Sequence, residues 1–190
     1  MLETSEIRNY AARTEFLRST VTSIPDYPQP GILFRDITSL CENREAFADT
    51  VELLSELYAR EGIAKIVAAE ARGFVFGAPL AARLKAGFVM VRKPGKLPRR
   101  TLEESYVLEY GTSRLQIHED SIKRGERVLV VDDLLATGGT VDALLSLVSR
   151  LGGEIAGAAF VIELFDLGGA DLIERKWGVR PFSLIKFPGH

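Results

Sequence analysis

Two neighbouring carboxylates and a glycine pair lie close together in residues 132–140, the part of the chain best suited to binding an anion. The apolar strand pattern of residues 127–133 ends on Asp132 and Asp133, and helically spaced apolar residues follow Gly138 and Gly139. Where a strand turns into a helix, unpaired N–H groups and the positive end of the helix dipole meet in one small space. The segment therefore predicts an anion-binding loop.

The composition of this loop limits the kind of anion. The two glycines allow close backbone approach, and the hydroxyls of Thr137 and Thr140 add donors for one terminal phosphate. Neither the lysine of a Walker A loop nor the pattern G-x-G-x-x-G is present, so a sugar monophosphate fits better than ATP or NAD. Adjacent carboxylates repel each other unless donors share them, and ribose hydroxyls are suitable donors. The alternative is a pair of solvated acids in an ordinary tight turn.

Length and composition predict a single compact domain spanning residues 1–190. The chain has 24 Lys and Arg against 26 Asp and Glu, so its formal charge of −2 predicts no binding to nucleic acid or to an anionic membrane. Cys41 has no cysteine to pair with, and it forms no metal cluster with His118 and His190. No apolar run has the length of a membrane span or a secretory signal. We therefore expect a cytoplasmic protein.

Strand patterns alternate with helical patterns along the chain, which predicts an α/β fold with a mostly parallel sheet flanked by helices. Ligands of such sheets bind at the carboxyl ends of the strands. We expect an irregular arm at residues 24–31, a basic mobile loop at 92–100 and a hairpin made from 105–110 and 113–117. Helices are expected at 4–20, from an N-cap at Asn43 to a stop at Gly62, and after Arg72 and Gly73 up to about Lys85. Strands are expected at 65–69, 88–91, 155–162 and 182–185.

Residues 128–140 resemble the PRPP-binding signature of the type I phosphoribosyltransferases. The resemblance implies that Asp132 and Asp133 bind the ribose hydroxyls of PRPP or AMP. The 5-phosphate would then be bound by the following loop, made of Ala136, Thr137, Gly138, Gly139 and Thr140. It also implies the fold of that family, with a small N-terminal hood at about residues 1–40 and a PRPP-binding core at about 41–190.

Further segments resemble the members of this family that use adenine. Residues 30–37 are similar to a hood over the base, with Leu33, Phe34 and Arg35 at adenine-binding positions. A flat base with few polar edges suits aromatic stacking and backbone hydrogen bonds. An ordinary loop anchored by Phe34 is the alternative interpretation.

Two cationic segments resemble the pyrophosphate-binding parts of the family. Arg72 follows a strand, within residues 70–74, where relatives bind the diphosphate; many of them have serine where this chain has Ala71. Arg92, Lys93 and Lys96 open a segment similar to the flexible loop that closes over pyrophosphate. The alternatives are a surface ion pair for Arg72 and a solvated loop for the other cations.

Residues 105–111 resemble the segment that ends the flexible loop, and this implies catalytic roles for Glu109 and Tyr110 beside Arg72. Glu109 could assist proton movement on the base or stabilise a cationic sugar. It could also be an ordinary charge of the hairpin.

The resemblance as a whole implies transfer of the 5-phosphoribosyl group of PRPP to N9 of adenine, giving AMP and pyrophosphate in purine salvage. It implies Mg²⁺ held mainly by the substrate rather than by protein ligands, and a homodimer. Hypoxanthine, guanine or xanthine as the base remains an alternative. A non-catalytic PRPP sensor that binds nucleic acid or RNA polymerase remains another, although such regulators usually carry an added nucleic-acid-binding domain.

Overall fold

The computed structural model describes residues 1–108 and 111–189. The helices are α1 Tyr10–Thr20, α2 Thr38–Glu42, α3 Arg44–Tyr58, α4 Arg72–Leu84, α5 Gly139–Arg150 and α6 Gly169–Trp177. The strands are β1 Thr22–Pro25, β2 Leu33–Asp36, β3 Lys65–Ala69, β4 Gly87–Val91, β5 Thr101–Leu108, β6 Gly111–His118, β7 Arg127–Leu135, β8 Glu154–Leu164 and β9 Phe182–Phe187. Short 3₁₀ turns lie at Thr4–Glu6 and Phe165–Leu167.

A five-stranded sheet in the order β4-β3-β7-β8-β9 forms the centre of the molecule, and all its neighbouring strands are parallel. Alternate residues of a strand point to opposite faces, and β7 shows this: Leu129 belongs to one buried cluster and Val130 to the other. The first cluster includes side chains of α3 and α4, and the second includes side chains of α5 and α6. The predicted α/β class is therefore confirmed.

Several elements begin where local sequence chemistry predicts. The Asn43 side chain accepts hydrogen bonds from the backbone N–H groups of Glu45 and Ala46 and so caps α3. The strand predicted at 65–69 is confirmed as β3, and the helix predicted after Arg72 and Gly73 is confirmed as α4, which already begins at Arg72. Within the part of the chain that the structure describes, no helix is both long and apolar enough to cross a membrane.

The N-terminal region differs from the expectation in two respects. The predicted irregular arm is wrong at its start, because β1 pairs antiparallel with β2; Pro25 is tolerated there as the last residue of a strand with only one neighbour. The helix predicted at 4–20 is interrupted, since Asn9 adopts a left-handed φ of 55° and α1 begins only at Tyr10. The hairpin of β5 and β6 exists, and β5 starts at Thr101 rather than Ser105.

Candidate active site

The carboxyl ends of three adjacent parallel strands bring the predicted site residues to one edge of the sheet. Asp132 and Asp133 lie near the end of β7, Arg72 begins α4 after β3, and Arg92 follows β4. Parallel strands end on the same side, so residues far apart in the chain converge there. The peptide bond that joins Glu70 to Ala71, between β3 and α4, is cis.

The two carboxylates form a tightly linked pair. Asp133 is only 3% exposed, and its backbone N–H donates a 2.9 Å hydrogen bond to Oδ1 of Asp132. Burial raises the pKa of Asp132 well above its ordinary value, and the charge of Asp133 raises it further. Burial also raises the pKa of Asp133, although the Arg72 guanidinium opposes that rise. Ionising both carboxylates of this buried pair is therefore costly.

Arg72 provides the nearest cation to this pair. Its Nε lies 2.9 Å from Oδ2 of Asp133, while half of the Arg72 side chain is exposed. Among the described residues, the buried Oδ2 of Asp133 nevertheless accepts no hydrogen bond, so the contact is a charge pair without hydrogen-bond geometry. The oxygen thus retains its capacity to accept a hydrogen bond from a ligand hydroxyl. Arg72 is more than the surface ion pair considered above, because its partner is buried.

Gly73 makes room for the acid pair. A Cβ atom built on Gly73 would lie 2.8 Å from Oδ1 of Asp132, closer than real side chains approach. Any other residue at this position would push the Asp132 carboxylate or the start of α4 aside. The glycine that follows Arg72 is therefore part of the site, a role that the sequence patterns did not indicate.

The loop of residues 136–140, hereafter the phosphate loop, connects β7 to α5 as predicted. Gly138 has a φ of +91°, which favours glycine, and α5 starts at Gly139. The backbone N–H of Asp142 donates to the Gly138 carbonyl, so the amides before it lie at the open end of the helix. Thr137 is exposed, and Ala136 and Thr140 are half-buried. The first amides of α5 and the Thr137 hydroxyl are therefore placed where they could donate to an anion.

The basic loop, residues 92–100, is attached to the protein at its start. Arg92 exchanges backbone hydrogen bonds of 2.9 and 2.7 Å with Gln116 of β6, and its Nε donates to Oε2 of Glu70 at 2.5 Å. Burial raises the pKa of Glu70, but the hydrogen bonds from Arg92 and from the Lys93 backbone lower it more, so it lies below the ordinary value. Arg92 is therefore already paired with a carboxylate.

Lys93 and Lys96 differ from Arg92 in their surroundings. Both are exposed, and neither forms an ion pair with a described residue. Within the described residues, the Lys93 and Lys96 ammonium groups thus differ from the Arg92 guanidinium, which is paired with Glu70.

The predicted base-binding residues lie on β2. Phe34 packs edge to face against Tyr27, with ring centroids 5.1 Å apart. The Arg35 guanidinium lies 4.6 Å from the centroid of the Phe187 ring, and it donates hydrogen bonds to the Pro188 carbonyl and to the Ser23 hydroxyl. Burial and the nearby charge of Arg18 lower the pKa of Arg35. The Arg35 side chain thus joins β2 to the C-terminal segment.

Two of the predicted catalytic residues, Glu109 and Tyr110, lie outside the described residues. Two contacts that organise the site were not predicted: Glu70 holds Arg92, and Phe187 lies under Arg35. The contact between Glu70 and Arg92 could have been inferred from the sequence, because Glu70 lies two positions before Arg72. The second joins positions 152 residues apart and has no local signal.

Comparisons with known proteins agree with this geometry. A family model described as a phosphoribosyl transferase domain matches residues 36–182. The chain is 59% identical over 180 residues to the adenine phosphoribosyltransferase of Escherichia coli O1:K1. This match covers 95% of this chain and 98% of the relative.

Solved structures give the same result. The adenine phosphoribosyltransferase of Thermoanaerobacter pseudethanolicus is 48% identical with a TM-score of 0.86, and the match covers 92% of this chain and 99% of that chain. The enzyme of Saccharomyces cerevisiae, solved with an imino-altritol bisphosphate and adenine, is 35% identical with a TM-score of 0.84 and the same coverage.

Proposed function

Because this chain belongs to the adenine phosphoribosyltransferase family, we propose that it transfers the 5-phosphoribosyl group of PRPP to N9 of adenine, forming AMP and pyrophosphate. The observation that carries the proposal is the buried Asp133 Oδ2, which lies beside Arg72 and accepts no hydrogen bond from a described residue. A ribose hydroxyl would supply the missing donor, and a diphosphate would attract the half-exposed arginine.

In the proposed reaction, the bond between the anomeric carbon and the diphosphate oxygen breaks, and a bond from that carbon to N9 forms. The electron pair of the broken bond leaves with pyrophosphate, and the proton lost from N9 ends on the released pyrophosphate. Positive charge develops on the ribose ring, as in glycoside transfer. Arg72, Lys93 and Lys96 stabilise the departing anion, while the phosphate loop and the carboxylate pair hold the ribose in line with the base.

Magnesium enters the proposal as an ion bound to the substrate. Diphosphate and ribose oxygens can supply most of the ligands that Mg²⁺ prefers, so the proposal does not need a dedicated protein cage. When bound, Mg²⁺ would neutralise part of the diphosphate charge. The cations of this chain then need to stabilise only the remainder.

Selection of adenine is proposed to depend on the hood. Phe34 offers an aromatic surface, and the backbone of β2 offers polar groups, since β1 is its only partner strand among the described residues. Glu109 and Tyr110 remain proposed catalytic residues near the reacting carbon. Leu33 completes the apolar side of the proposed base site.

The direct test measures AMP formation by the purified protein with PRPP, Mg²⁺ and adenine. Hypoxanthine, guanine and xanthine are supplied in parallel reactions. We expect turnover of adenine alone. Turnover of another base would retain the PRPP site and refute the role of the hood, whereas PRPP binding without turnover of any base would favour a PRPP sensor.

We also propose that the chain forms a homodimer through α4 and the edge strand β4. Val75 of α4 is 41% exposed and Met90 of β4 is 49% exposed, and the Phe74 and Phe88 rings pack against each other in the same region. Exposed apolar patches of this kind commonly mark interaction surfaces.

A cytoplasmic location is part of the proposal, since Cys41 is a free thiol.

Light scattering tests the dimer. The mass measured for the wild-type protein should be about twice the 20.9 kDa of one chain. The double variant Val75→Glu with Met90→Glu should have the mass of a monomer. Phe165→Glu replaces an apolar residue that is 54% exposed and lies outside this face, and this variant should remain dimeric. A wild-type monomer would refute the dimer, and a double variant that stays dimeric would place the interface elsewhere.

A further inference from the structure

The phosphate loop is backed by an unusually close backbone contact with the start of α6. A Cβ atom built on Gly169 would lie 2.2 Å from the carbonyl oxygen of Ala136 and 3.0 Å from the backbone N of Gly138. In the reverse direction, a Cβ atom on Gly138 would lie 3.1 Å from the Gly169 carbonyl oxygen. The two segments therefore touch through atoms that cannot rotate away.

Space rather than backbone conformation requires glycine at position 169. Gly169 is the first residue of α6 and has no positive φ, so any residue could adopt its conformation. Its neighbour Gly168 is the opposite case, with a φ of +74° and no atom within 4 Å of the place where a Cβ atom would lie. Substitutions at these two neighbouring glycines can therefore distinguish a steric clash with the phosphate loop, at Gly169, from local backbone strain, at Gly168.

The far end of α6 is fastened to the same part of the molecule. Asp142, in the first turn of α5, accepts a 2.8 Å hydrogen bond from Nε1 of Trp177 and another of 2.8 Å from Nζ of Lys176. The helix α6 therefore contacts the phosphate loop with its first residue and the first turn of α5 with its last residues. Both ends of α6 therefore contact the segment that runs from the phosphate loop into α5.

We propose that α6 acts as a brace for the phosphate loop and that Gly169 is a positioning residue for the 5-phosphate of PRPP and AMP, which it does not itself touch. This inference rests on the proposed function. With a Cβ at position 169, the Ala136 carbonyl must retreat by about 0.8 Å to reach a separation of 3.0 Å. A displacement of about 1 Å in a positioning group can cost about 100-fold in rate. The loop amides would move with that carbonyl.

The test compares Gly169→Ala with Gly168→Ala in both reaction directions. We expect Gly169→Ala to raise the KM for PRPP and for AMP by about 10- to 100-fold, because both ligands carry the 5-phosphate. The KM values for adenine and pyrophosphate should change less than about twofold, since neither ligand reaches the loop. Gly168→Ala should lower the Tm while leaving all four KM values unchanged, which separates positioning from general stability.

A second variant keeps the proposal testable if Gly169→Ala does not fold. Trp177→Phe removes the hydrogen bond to Asp142 but keeps an aromatic ring, and we expect it to raise the KM for PRPP by about two- to threefold. An unchanged PRPP KM in the folded Gly169→Ala protein, or equal rises for all four ligands, overturns the brace; if that protein does not fold, an unchanged KM in Trp177→Phe does so. Absence of AMP formation by the wild-type protein refutes the proposed function instead.

Discussion

The phosphate loop and the hood are proposed to bind opposite ends of one product, yet they are attached to the protein in different ways. The loop continues directly from the central strand β7 and is backed by the rigid contact with Gly169. The hood is a separate pair of strands, joined to the C-terminal segment by the Arg35 side chain. In the proposed function, the ribose phosphate would therefore be bound by a loop of the central sheet, and the base by a separate two-stranded sheet that contacts the central sheet through Arg35 and Phe187.

The largest effect is expected from a substitution in the proposed ribose-binding site at the end of β7. Asp133→Asn should lower kcat/KM for PRPP by about 10- to 100-fold, since a hydrogen bond to a charged group contributes about 1.5–3 kcal/mol. Steady-state kinetics with varied PRPP provide the measurement. Asp120→Asn, at an exposed surface carboxylate paired with Arg99, serves as the control and should behave as wild type. Unchanged PRPP kinetics in Asp133→Asn would remove the assignment.

A smaller effect is expected on the hood side. Arg35→Lys keeps the charge but loses the planar group over Phe187 and the bond to Pro188, so we expect the adenine KM to rise about 5- to 10-fold with the PRPP KM unchanged. Arg18→Lys is a matched control, because Arg18 lies 5.1 Å from the same ring but belongs to α1. Equal changes in both KM values would mean that the hood and the core do not act separately.

The basic loop should give a still smaller effect. Replacing Lys93 and Lys96 together by alanine should lower kcat about three- to fivefold, since exposed ion pairs contribute only about 0.2–1 kcal/mol each. The loss should shrink as salt is added, because salt already screens these charges in the wild-type protein. Rates measured from low to high ionic strength check this, with Lys123→Ala as the surface control. A loss that does not depend on salt would contradict an electrostatic role.

The mildest change concerns stability rather than rate. The folded pKa of Asp132 lies above its unfolded value, so its ionised form destabilises the fold once pH exceeds the unfolded pKa of about 3.9, and increasingly so up to the folded pKa. Asp132→Asn should therefore raise the Tm of the empty protein at pH 7–8, by about 2–4 °C per kcal/mol relieved, and have little effect near pH 4. Calorimetry at both pH values measures this, and a Tm that falls at pH 7–8 contradicts it.

Local patterns in the sequence were sufficient for the parts of the site built on one element. The strand before Asp132, the turn at Gly138 and the cap at Asn43 depend on residues within a few positions of each other. The pairing of β1 with β2 was not foreseen, because three prolines within residues 24–31 indicate a break in regular structure. Likewise, the fit of Gly169 behind Ala136 depends on how α6 returns to the sheet, which no local signal encodes.

The ion pair between Arg72 and Asp133 has a consequence for the order in which ligand groups are accepted. The Arg72 guanidinium partly neutralises the buried Asp133 carboxylate. Pyrophosphate alone would draw this cation away and offer Asp133 no donor in exchange, whereas a ligand with ribose hydroxyls supplies the replacement as the arginine leaves. We therefore expect the proposed site to bind a diphosphate together with ribose hydroxyls better than a diphosphate alone. Pyrophosphate should accordingly bind the AMP complex more tightly than the free protein.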